Sequence, residues 1–90
     1  MPTALIVGFG AACELAAQNQ EGDRERIDKL TARLYQRLRE AHPRLRLFGH
    51  ERCRVAGNLN IGIPGISAEE VIRNTAQRIA VSSGSACSSA

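Results

Sequence analysis

Ile27, Leu30, Leu34, Leu38 and Ala41 recur at spacings of three and four and run up to Pro43. This is one face of an α-helix, and Arg24, Arg26, Arg33, Arg37 and Arg39 fall largely off it, where water solvates them. Glu25 precedes Lys29 by four residues, the favourable order for a pair that contributes about 0.3 kcal/mol to a helix. Pro43 ends the pattern, because proline has no N–H to give and its ring clashes with the preceding turn. Past it the periodicity changes to alternation. Leu45-Arg46-Leu47-Phe48 reads as a short strand, Gly49-His50-Glu51-Arg52 as a turn, and residues 55–63 as a second strand with Leu59, Ile61 and Ile63 on one face.

The flanks extend the pattern. Residues 4–17, rich in Ala, Leu and Gly, read as an earlier helix, and the polar run 18–23 reads as a break before the next. Pro64-Gly65 stops the second strand. Ser67 then opens a helix with Glu70 three residues on, a capping box, and Val71, Ile72, Thr75, Ala76 and Ile79 form its buried side. Residues 79–81 read as a final strand that leads into a serine-rich tail. The expected class is α+β: two N-terminal helices, then strand-strand-helix-strand. Ninety residues hold one small domain at most. Three aromatics, Phe9, Tyr35 and Phe48, with no tryptophan, are poor material for a self-sufficient core. A partial domain is the better expectation.

Several functional classes lose their footing here. The net charge of +3 is carried almost wholly by arginine, with Lys29 the only lysine. Interleaving with Asp and Glu makes this a solvated surface rather than a nucleic-acid stripe. No apolar run approaches the roughly 20 residues of a membrane span, and no signal peptide opens the chain. Cys13, Cys53 and Cys87 show no paired spacing, which fits free thiols in a reducing cytoplasm. None of them stands at metal-ligand spacing from another or from His42 and His50, so no metal is expected. Gly8-Phe9-Gly10 imitates the start of a dinucleotide fingerprint, but Cys13 takes the third glycine position and no βαβ unit follows. Those glycines read instead as places where a helix packs closely on a neighbour. Cys13 reads as a small core residue and Cys53 as passive. His42 suits a helix end and His50 a turn.

Cys87 stands apart. It lies in Ala80-Val81-Ser82-Ser83-Gly84-Ser85-Ala86-Cys87-Ser88-Ser89, small and mostly hydroxylated residues that leave a thiol accessible. This loop closely resembles the active-cysteine loop of the cysteine desulfurases, pyridoxal-phosphate enzymes of the class V aminotransferase group that supply sulfur for iron–sulfur clusters. The resemblance extends along the chain. Residues 6–12 resemble the family's lead into its smaller domain, Gly57-Asn58-Leu59-Asn60-Ile61 its strand, and residues 67–78 the helix before the cysteine.

The resemblance implies that residues 1–90 are part of the small domain of a fold-type I pyridoxal-phosphate enzyme, truncated at both ends. It implies that Cys87 is the nucleophile: its thiolate takes the sulfur of L-cysteine, leaving L-alanine and a persulfide that a sulfur-acceptor protein collects. The family is typically homodimeric. The cofactor lysine of that family sits in a Ser/His-rich motif, and Lys29, between Asp28 and Leu30, has no such surroundings. The isolated chain is therefore expected to bind no pyridoxal phosphate and to be inactive, as a gene fragment or as one half completed by a cofactor-binding chain. Two other readings stay open: a non-enzymatic persulfide carrier, and a small Arg-rich binding module.

Overall fold

The computed structural model describes residues 2–84. The first element, α1, is one continuous helix of 39 residues, Thr3–Ala41. The break expected at 18–23, and with it the second N-terminal helix, is absent. Polarity alone does not stop a helix: Gln and Glu are good helix formers, and Gly22 costs only about 1 kcal/mol relative to alanine. Asn19, whose side chain competes with helical bonding elsewhere, here donates its amide to Leu15 O at 2.9 Å. At the far end His42 is the C-cap, its N–H on Leu38 O at 2.8 Å, and Leu45 N returns to His42 O at 3.0 Å to turn the chain past Pro43. The Arg39 guanidinium lies 5.4 Å from the Tyr35 ring centroid and shields this last turn. The ion pair on the helix joins Arg24 to Asp28 at 3.8 Å, one residue ahead of the expected Glu25–Lys29 pair.

The chain then forms strands β1, Arg46–Leu47, and β2, Ile61–Gly62, paired antiparallel with Arg46 opposite Gly62 and Leu47 opposite Ile61. Phe48 N donates to Asn60 O at 2.9 Å and carries the ladder one step further. The second strand is much shorter than the expected 55–63. Gly57 has φ +86, which no strand accommodates, and Asn58 N closes a turn on Val55 O at 3.1 Å.

Helix α2 spans Ala68–Thr75. Ser67 is its N-cap with extended backbone, as the sequence predicts, but its hydroxyl makes no capping bond. Glu69 and Glu70 in the first turn favour the helix dipole instead. The strand expected at 79–81 is absent. Arg78 N and Ile79 N both return to Thr75 O, at 2.8 and 2.9 Å, and the sheet of the described residues offers 79–81 no partner. The α+β class stands, as helix, two-stranded sheet and helix.

No described residue is fully buried. Ile27, Thr31, Tyr35, Leu38 and His42 form a half-buried column, and the inter-strand loop reaches it at Ile27 through Gly57. This column lies slightly round the helix from the expected stripe, so Leu30 and Leu34 stay 54% and 51% exposed. The described residues before Ile27 are all exposed, Leu5, Phe9 and Leu15 among them. No helix among the described residues is long and apolar enough to cross a membrane.

Candidate functional site

The residue the sequence marks most strongly, Cys87, lies outside the described residues. The described chain runs up to its loop: α2 ends at Thr75, the backbone turns through 76–78, and Gly84 adopts φ +64. A positive φ favours glycine over any side-chain-bearing residue, so Gly84 redirects the chain where the small-residue loop begins.

Pyridoxal phosphate, implied by the resemblance, can be tested against Lys29. A lysine that bonds the cofactor needs a desolvated pocket, because only the neutral amine reacts with a carbonyl. Lys29 is exposed on α1 and does not line the shallow grooves described among these residues. The residues present do not fit the cofactor, and no step is assigned through it.

The more enclosed surface lies between α1 and the loop joining the strands. It is a shallow groove of about 290 Å³ with Tyr35, Leu47 and Leu59 among its apolar residues and Arg24, Asp28 and Arg52 among its charged ones. Arg54 builds its loop side. Its Nη1 donates to Phe48 O at 2.7 Å and His50 O at 3.3 Å, its Nη2 to Asn58 Oδ1 at 3.1 Å, and its buried Nε has no partner. Sequence reasoning missed this clamp. The available signal was local: Gly49 and Gly57, both with positive φ, bracket a segment that must turn twice.

The histidines sit where the sequence puts them, His42 at a helix end and His50 in a turn. Cys53 is exposed in that turn. Cys13 is exposed too, against the expectation of a core residue, because no described residue covers the first half of α1. Gly8 and Gly10 likewise face open space rather than a close neighbour. Among the described residues no three His, Cys, Asp or Glu side chains gather to hold a metal ion.

Known proteins resemble the chain from end to end. It is 40% identical over 90 residues to a cysteine desulfurase of Rattus norvegicus, covering 100% of this chain and 20% of that protein. It is 40% identical to the cysteine desulfurase IscS of Ehrlichia chaffeensis, covering 100% of this chain and 22% of the relative. Against the mitochondrial cysteine desulfurase of Arabidopsis thaliana the identity is 42% over 88 residues, 98% of this chain and 19% of the relative. The chain thus spans about a fifth of the length of the curated relatives it matches. No solved structure matches it significantly. The family model for class-V aminotransferases, in general pyridoxal-phosphate enzymes, matches residues 1–90, and the chain belongs to that family.

Proposed function

We propose that this chain is part of a cysteine desulfurase and that Cys87 is its sulfur-accepting nucleophile. The observation that carries the reading is 40% identity to a cysteine desulfurase over all 90 residues, in a chain whose Ser-Ser-Gly-Ser-Ala-Cys loop resembles the active loop of that family. In the proposed reaction the Cys87 thiolate attacks the sulfur of L-cysteine and a new S–S bond forms. The substrate's C–S bond breaks, and its electron pair with a proton completes the methyl group of L-alanine. The product is a persulfide on Cys87, which a sulfur-acceptor protein removes for iron–sulfur cluster assembly. The thiolate is the required form, and small neighbours leave it accessible to both substrate and acceptor.

On this reading residues 1–90 are a slice of the small domain of a fold-type I enzyme, working in the cytoplasm. The pyridoxal-phosphate chemistry comes from a lysine this chain does not supply. Alone it turns over no substrate. The exposed apolar length of α1 supports this, since a helix with Leu5, Phe9, Leu30 and Leu34 in water is a component of a larger body.

The test is sulfide release and intact mass after incubating the purified chain with L-cysteine and pyridoxal phosphate, beside Cys87→Ser. Neither sulfide nor added sulfur is expected from the chain alone. Mixed with a cofactor-bearing large domain of a desulfurase, the chain should gain one sulfur atom, and Cys87→Ser should not. Sustained release by the chain alone, lost in Cys87→Ser, would overturn its predicted dependence on another lysine. Sulfur gained on Cys87 from a low-molecular-weight persulfide, but never from a desulfurase domain with L-cysteine, would favour a carrier.

A further inference from the structure

The turn after β1 is closed by a side chain. His50 Nδ1 accepts hydrogen bonds from the N–H groups of Arg52 at 3.0 Å and Cys53 at 2.9 Å. A backbone N–H can only donate, so Nδ1 carries a lone pair here and the ring is the neutral Nε2–H tautomer. One side-chain acceptor serving the N–H groups two and three residues on is the arrangement an Asn or Asp makes in an Asx turn. Imidazole differs in one respect. Protonation turns this same atom into a donor, so the proton and the two backbone bonds exclude one another.

We propose that His50 is a proton-operated latch on the loop 49–54. Neutral, it holds the turn closed; protonated at Nδ1, it releases the Arg52 and Cys53 amides and the turn opens. The consequence is carried to the groove, because Glu51, Arg52 and Arg54 of this loop line it against α1. Arg54 is anchored to the same turn through His50 O and Phe48 O, so an open turn also loosens the clamp on β1. The charged groups that line the groove beside this loop are Glu51, Arg52 and Arg54 on the loop and Arg24 and Asp28 on α1. The closed turn binds one proton fewer than the open turn. Falling pH therefore favours the open turn.

Nitrogen NMR of the full 90-residue chain, with amide exchange between about pH 5 and pH 8, tests this. At the upper end His50 Nδ1 should show the shift of an unprotonated, hydrogen-bonded nitrogen. Protection of the Arg52 and Cys53 amides should fall roughly tenfold as that nitrogen protonates, with one shared midpoint. His50→Asn, which supplies an acceptor that does not titrate, should keep both amides protected across the range. His50→Ala should leave them unprotected throughout, and His42→Gln should behave as the parent chain does. Amides that keep their protection through the His50 titration would overturn the latch, as would the same pH dependence in His50→Asn.

Discussion

Ile27 and Gly57 meet where the inter-strand loop touches α1: any Cβ at position 57 would stand 3.0 Å from Ile27 Cγ2. Position 57 is closed twice over, since its φ of +86 also penalises a side chain. Gly57→Ala should therefore destabilise the docked loop by the left-handed backbone cost, about 1–2 kcal/mol, with a further loss from overpacking against Ile27. Gly65→Ala is the control. It shares a positive φ of +83 but has nothing within 4 Å, so it should lose only the backbone part. Denaturant titration followed by circular dichroism compares them. Equal losses would mean that Ile27 and Gly57 are not in contact in solution.

The sequence made the helix ending before Pro43, the strand pair after it and the start of α2 at Ser67 legible, because each rests on a local signal of period or breaker. The join of residues 4–17 to the helix beyond was not legible. A polar run marks a loop only if its residues have better bonds to make outside a helix, and Asn19 finds its bond within one. The column of α1 that is covered was also missed. Periodicity names the apolar side of a helix, but the half-buried column runs through Ile27 and Leu38 and leaves Leu30 and Leu34 aside, and the inter-strand loop reaches Ile27 through Gly57. The missing strand at 79–81 has the same root: a strand exists by its neighbour, and the sequence of 79–81 does not name one. The candidate nucleophile was legible only through the resemblance of its loop. The His50 and Arg54 bonds join residues two to six apart through backbone groups that carry no sequence signature.

The thiols give a second check. Cys13 and Cys53 are both exposed. At concentrations low enough to keep the chain monomeric, each should react with a maleimide in the native state at the rate of a small-molecule thiol, measured with Cys87→Ser in the background. Cys13→Ala should shift stability by no more than about 0.5 kcal/mol, the range of an uncovered surface position. A slow Cys13, or a loss of several times that size, would show that a partner surface covers the first half of α1 in solution.

Leu5 and Phe9 lie four residues apart on α1, 71% and 73% exposed, and with Leu30 and Leu34 they leave apolar surface along much of the helix. Burying one such side chain is worth about 1.5–3 kcal/mol, so several on one helix drive association unless other chain covers them. The purified chain should self-associate with rising concentration, as seen by sedimentation velocity. Phe9→Glu combined with Leu5→Glu should shift it toward monomer. The helix itself should survive, because neither side chain touches the sheet and glutamate is a good helix former placed near the positive end of the helix dipole. Helicity by circular dichroism separates the two effects: monomer with helix retained is the expected result, and loss of both would mean that this half of α1 forms only when its apolar face is covered.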